Sequence, residues 1–121
     1  MSRILVVDDS PTEVHVLSTM LTKNGFDIVT AASGEEAVET AKVERPDLVL
    51  MDVVMPGMNG FQATRQLTRQ PETATIPVII VTTKDQETDR IWGLRQGAKD
   101  YITKPVVEDE LIGKINTALG E

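Results

Sequence analysis

Five residues of this chain have types and positions that could do chemistry together: Asp8, Asp9, Asp52, Thr82 and Lys104. Each follows a short, mostly apolar run: ILVV before Asp8, LVLM before Asp52, VIIV before Thr82 and YIT before Lys104. A charge at the end of a buried apolar run is costly unless something pairs with it. If the four runs end at one place, three carboxylates meet a hydroxyl and an amine. Three like charges a few ångströms apart repel by several kcal/mol, at an effective dielectric of about 20. A divalent cation would hold them, and Mg²⁺ prefers hard oxygen ligands with one or two carboxylates and several waters. Lys104 supplies a second counter-charge. A carboxylate beside Mg²⁺, a lysine and a threonine hydroxyl is equipped to accept a phosphoryl group, with the carboxylate as nucleophile and the cations neutralising charge.

The elements between these residues decide whether they meet. Ile4 to Val7 reads as strand 1. Ser10-Pro11-Thr12-Glu13 then carries a capping box with Pro in the first turn, and Val14, Leu17 and Leu21 recur at helical spacing until Asn24-Gly25. Phe26 to Ala31 reads as strand 2. Ser33 to Glu36 is a second capping box, opening a helix through about Glu44 with Ala37, Val38 and Ala41 inward. Strand 3 is Asp47 to Met51. Asn59 can cap a third helix with Phe61, Thr64, Leu67 and Thr68 facing in, ending near Pro71. Ile76 to Val81, continuous and β-branched, reads as a strand buried on both faces. Residues 86–96 read as a weak fourth helix with Ile91 and Leu94 as its inner face. Gly93 in its interior costs roughly 1 kcal/mol relative to Ala. Strand 5 is about Asp100 to Thr103, and a last helix from near Val107 buries Leu111, Ile112, Ile115 and Leu119.

Short strands alternating with helical stretches imply βαβ units and a parallel sheet. Right-handed crossovers on both faces make it doubly wound. The C-terminal ends of strands 1, 3, 4 and 5 then share one rim, where ligands bind in open α/β sheets. The 121 residues suit one domain, 1–121, with no linker, repeat or low-complexity segment. The net charge of −7 disfavours nucleic acid or an anionic membrane as a primary partner. The absence of cysteine excludes disulfides and thiolate metal sites, and the lone His15 excludes a multi-histidine site. No apolar run approaches the ~20 residues of a membrane span, and the expected location is the cytoplasm.

ILVVDDS, LVLMDVVMPGMNG, IPVIIVTTK and DYITKP, in this order and spacing, resemble the receiver domain of bacterial two-component response regulators, over residues 4–119. The resemblance implies the flavodoxin-like fold of CheY, a five-stranded parallel sheet of order 2-1-3-4-5 with five helices. It implies Asp52 as phosphoacceptor, with Asp8, Asp9, Asp52 and the Val54 backbone carbonyl holding Mg²⁺. Thr82 is implied as switch hydroxyl, with Thr83 beside it, Tyr101 as switch aromatic, Lys104 as phosphate-binding cation, and a cis bond at Lys104–Pro105. DDSPTE, GFQATRQLT, VTTKDQETDR and WGLRQGAKDYITKP further resemble the single-domain regulators of type IV pilus twitching systems, especially the PilH-like ones. The implied partners are a chemotaxis-type histidine kinase and a target in the motility machinery, reached by a monomer without an output domain.

The implied output surface is the face of helix 4, strand 5 and helix 5, including Ile91, Trp92, Arg95, Tyr101 and Val107. On residue type alone, Tyr101 is as well explained by a partly buried sheet-edge tyrosine as by a switch. Trp92 is equally a packing residue or an exposed anchor. Met51, Met55 and Met58 read as packing, and His15 as helix surface. Three positions depart from many receivers: Thr83 where Ala or Gly leaves room, Val54 where a polar residue can position water, and Lys84 where an acid can stand. The expectation is slow self-dephosphorylation. The competing readings are an aspartyl phosphatase, which would need a second acid where Val54 stands; a binding module independent of phosphate; and a phosphate sink for a shared kinase. Turnover at an enzyme's pace on a separate substrate is not expected.

Overall fold

The computed structural model describes residues 2–120. In chain order the elements are β1 (Arg3–Val7), α1 (Pro11–Lys23), β2 (Asp27–Ala31), α2 (Gly34–Glu44), β3 (Leu48–Met51), α3 (Gly60–Arg69), β4 (Val78–Thr82), α4 (Glu87–Arg95), β5 (Asp100–Thr103) and α5 (Glu108–Ala118). The strands form one parallel sheet in the order β2-β1-β3-β4-β5. Alternation along the strands splits the core in two. Leu5, Val7, Val49, Met51 and Val78 pack with Ala37, Val38 and Ala41 of α2 and with Ala63 and Leu67 of α3. Ile4, Val6, Leu50, Ile79 and Val81 pack with Leu17 and Leu21 of α1 and with Leu111 and Ile115 of α5.

The caps hold mostly as read. Ser10 Oγ accepts from the Glu13 amide, but the Ser10 amide donates to Asp8 Oδ1 at 2.9 Å, so the reciprocal half of the box is replaced. At α2 the Glu36 carboxylate reaches the Ala32 amide instead of Ser33. The complete capping box is at α3, where Asn59 and Gln62 exchange two bonds of 2.9 Å. After α1, Gly25 adopts φ 88°, the Gly25 amide bonds to Thr22 and the Phe26 amide to Leu21. That is a Schellman motif, and it holds Phe26 out of β2. β4 begins at Val78 because Pro77 has no N–H to give and the Ile76 amide closes a turn onto Thr73.

The inner face of α4 differs from the reading. Ile91 is 44% exposed and Leu94 38%, and Gly93 is the buried residue. A Cβ on Gly93 would lie 2.7 Å from Ile80 Cδ1 and 3.3 Å from both Phe61 and Tyr101. The helix backbone at Gly93 rests directly on the side chains of Ile80, Phe61 and Tyr101, which leave no room for a side chain of its own there. A small third cluster of Val53, Phe61, Ile80, Ala98 and Tyr101 sits beneath it.

Candidate functional site

Ladder hydrogen bonds running past the strand ends hang the site residues from one rim. The Asp8 amide donates to Ala31 O at 3.1 Å, the Asp52 amide to Val7 O at 3.0 Å and the Lys104 amide to Thr82 O at 2.8 Å. The peptide bond after Lys104 is cis. Carboxylate oxygens of Asp8, Asp9 and Asp52 can lie within 4.8 Å of one another. Asp8 and Asp52 are buried and Asp9 is exposed.

Lys104 Nζ donates to Asp8 Oδ2 at 2.8 Å and lies 3.5 Å from Asp52 Oδ2. Its closer partner is therefore Asp8. Burial opposes the charge on Lys104, but the hydrogen bond to Asp8 and the attraction of Asp52 outweigh it and raise its pKa. Asp52 also accepts from the Val53 amide at 2.7 Å. Its pKa is raised, chiefly by burial. Lys104 opposes this, Asp8 adds to it, and the Val53 amide and Thr82 hydroxyl oppose it. Asp52 is thus a carboxylate whose local partners do not fully compensate its burial.

All donors of the acidic triad are hard oxygens, two of them buried together, which suits a divalent cation with oxygen coordination. Asp8, Asp9 and Asp52 are the side chains that would hold it. Val54, expected to add its carbonyl, is 59% exposed in the loop immediately after Asp52. Thr82 is fully buried at the rim, and its Oγ1 accepts from the Lys84 amide at 3.4 Å. Thr83 beside it is exposed.

The response regulator receiver domain family matches residues 4–116. The chain belongs to that family. It is 62% identical over 119 residues to Protein PilH of Pseudomonas aeruginosa, covering 98% of each chain. A putative response regulator from Chloroflexus aurantiacus superposes with a TM-score of 0.94 at 32% identity, covering 99% of this chain and 98% of that one. The receiver domain of a Pseudomonas aeruginosa sensor histidine kinase superposes at 0.91, with 32% identity and the same coverage. That structure has a magnesium ion coordinated in its active-site cleft. The order 2-1-3-4-5 is thus that of a CheY-like receiver, and the module is one of two-component signalling.

Of the residues assigned to the receiver's output surface, Ile91, Trp92, Arg95 and Val107 are exposed. Tyr101 is not: it is buried, and its hydroxyl donates to Lys84 O at 2.7 Å. Its ring fills the space that Gly93 leaves open. Met51 and Met55 are core residues, and His15 is exposed on α1.

One residue at the site carried no chemical signal in the sequence. Gly60, the first residue of α3, sits directly against the Asp52 peptide. A Cβ there would overlap the Asp52 carbonyl oxygen and lie 2.7 Å from its carbon and 2.8 Å from Val53 Cα. The Gly60 amide donates to Val53 O at 3.0 Å. The only trace in the sequence was a glycine straight after a capping asparagine.

Proposed function

We propose that this receiver accepts a phosphoryl group from a histidine kinase onto Asp52, with Mg²⁺ bound by Asp8, Asp9, Asp52 and the Val54 carbonyl. The observation that carries the reading is the convergence of three carboxylates and Lys104 at one rim, with Lys104 touching both buried acids. An Asp52 carboxylate oxygen attacks phosphorus, the bond from phosphorus to the donor imidazole nitrogen breaks, and the electron pair leaves with that nitrogen. Bound Mg²⁺ would supply charge neutralisation for the phosphoryl oxygens. Lys104, 3.5 Å from Asp52, supplies the protein's own cation, and Thr82 supplies a hydroxyl to hold the phosphorylated state.

The signal leaves through the exposed side chains of α4 and α5, with Tyr101 and Thr82 linking them to the site. α4 suits an element that repacks. It has no side-chain N-cap, and Gly93 alone of its residues is buried. The 62% identity to PilH, over nearly all of both chains, supports a role in type IV pilus twitching with a chemotaxis-type kinase. We place it in the cytoplasm as a monomer, beside the kinase that would phosphorylate it. No helix among the described residues is long and apolar enough to cross a membrane.

The test is incubation with Mg²⁺ and a small phosphodonor, followed by intact-mass measurement of wild type and Asp52→Ala. One phosphoryl increment on wild type alone is expected. An equal increment on both proteins would overturn the assignment.

A further inference from the structure

We infer that the groove between α2 and α3, on the far side of α3 from α4, docks an acidic, extended segment of a partner protein. The groove has a volume of about 720 Å³ and is floored by Gly57 and Met58 of the loop that follows Asp52. Its α3 wall carries Arg65 and Arg69, one turn apart and exposed. Neither arginine is in an ion pair among the described residues.

Charge distribution selects the occupant. The protein as a whole carries −7, yet α3 is the one helix among the described residues with no Asp or Glu. Its two charges are both guanidinium groups, whose planar donor forks match carboxylates. The only acid lining the groove, Glu35, is turned to the floor, where it accepts from the Met58 amide at 3.3 Å. Arg65 and Arg69 are one turn apart on the same wall, so an acidic segment lying along the groove offers carboxylates to both at once.

The probe is an acetylated hexaglutamate peptide, titrated into isotope-labelled protein without Mg²⁺ and followed by amide shifts. Shift changes at Gly57, Met58 and along α3 are expected. Arg65→Glu with Arg69→Glu should weaken binding by about tenfold or more, as two reversed rim contacts would. Arg65→Gln with Arg69→Gln, which keeps size and polarity, should weaken it by a smaller factor. Raised salt should weaken wild-type binding. Shifts centred on Lys104 and Lys84, an affinity that neither arginine pair alters, or no shifts at about 1 mM peptide would each overturn the proposal. So would the same shifts arising on raising protein concentration alone, which would make the face a contact between copies.

Discussion

The glycines of this domain make a matched series in which one substitution, Gly→Ala, should have opposite signs at different places. At Gly60 the new Cβ meets only backbone: the Asp52 carbonyl oxygen and carbon and Val53 Cα, the carbons at 2.7 and 2.8 Å. None of these can swing aside as a side-chain tip can. Restoring the ~3.5–4 Å spacing of carbon contacts requires α3 to retreat by roughly 1 Å. That retreat strains the Gly60–Val53 hydrogen bond and withdraws Phe61, Ala63 and Leu67 from the core. Overpacking costs about 1–3 kcal/mol and the hydrogen bond about 1 kcal/mol. Better helix propensity returns at most ~1 kcal/mol. The net expectation is a loss of about 2 kcal/mol, or roughly 8 °C in Tm at about 4 °C per kcal/mol. Gly113 lies in α5 with nothing within 4 Å of its Cβ position, so Gly113→Ala should stabilise by up to ~1 kcal/mol. Urea titration of both variants, read by circular dichroism, measures the difference. Phosphorylation by a small donor gives a second reading: it should slow in Gly60→Ala, whose Asp52 peptide is displaced, and be unchanged in Gly113→Ala. A Gly60→Ala protein within 0.5 kcal/mol of wild type, as surface substitutions usually are, would refute the close-approach argument.

The net effect on ionised Asp52 is unfavourable, with burial the largest cause, and its raised pKa means stability that is present at acid pH and lost as pH rises through the folded value. Asp52→Asn should therefore be more stable than wild type at pH 7 in a chelator, with the gap closing at low pH; urea titrations at two pH values check this, and a less stable variant at pH 7 would contradict it. Tyr101 is the only tyrosine, and burial, with Asp89, Asp85 and Asp52 nearby, pushes its pKa up to about 12. Its stabilising contribution is fully present below ~10 and lost as pH rises through about 12. Phenolate absorbance should stay flat past the midpoint seen in urea; a folded midpoint equal to the unfolded one would show the hydroxyl to be free. Val54 is exposed beside Asp52 and carries no group to position water, so Val54→Asn should speed loss of the phosphoryl group. A wild-type half-life of seconds, unchanged by Val54→Asn, would sink that idea. Arg45 holds φ 47° at the end of α2, and Arg45→Gly should stabilise the protein by about 0.5–1 kcal/mol, checked by thermal melting.

Much of this was legible because a parallel sheet needs little information to place its strand ends. Once ILVV, LVLM and VIIV are read as strands, Asp8, Asp52 and Thr82 must share a rim whatever the side-chain details. The α4 face was not legible, and the reason is physical. Periodicity finds an inner face by its apolar side chains, but α4 packs through a residue that has none. With Gly93 inward, Ile91 and Leu94 are turned to solvent, and the usual rule points to the wrong side. Tyr101 was ambiguous for a related reason: in a strand of four residues, only the space left by Gly93 decides that the ring is buried. Gly60 gave no signal of its own, because close backbone approach leaves no mark on residue type.

The distribution of charge at the rim also depends on distances that no spacing encodes. Lys104 is one cation among acids, and it sits 0.7 Å closer to Asp8 than to Asp52, the difference between 2.8 and 3.5 Å. At an effective dielectric of about 20, unit charges at those separations attract by roughly 6 and 5 kcal/mol before desolvation is counted. The small difference matters because Asp8 and Asp52 repel each other, and only Asp8 has its repulsion met by a direct hydrogen bond to the amine. Asp8 also accepts from the Ser10 amide, so both of its oxygens are engaged. Asp52 has one oxygen on the Val53 amide and the other at a longer reach from Lys104. The rim therefore divides its carboxylates by role. Asp8 is fully held and acts as a fixed negative wall. Asp52 keeps an under-compensated oxygen at the mouth of the site, where a nucleophile must have one. Lys104→Met would remove the one cation both share. Because truncating a buried pair leaves charge unpaired, at a cost of about 3–5 kcal/mol, the metal-free variant should lose stability on that order, and added Mg²⁺ should restore more of it than it adds to wild type. Equal Mg²⁺ effects on both proteins, measured by thermal shift, would mean that Lys104 and the cation do not share the work of neutralising this rim.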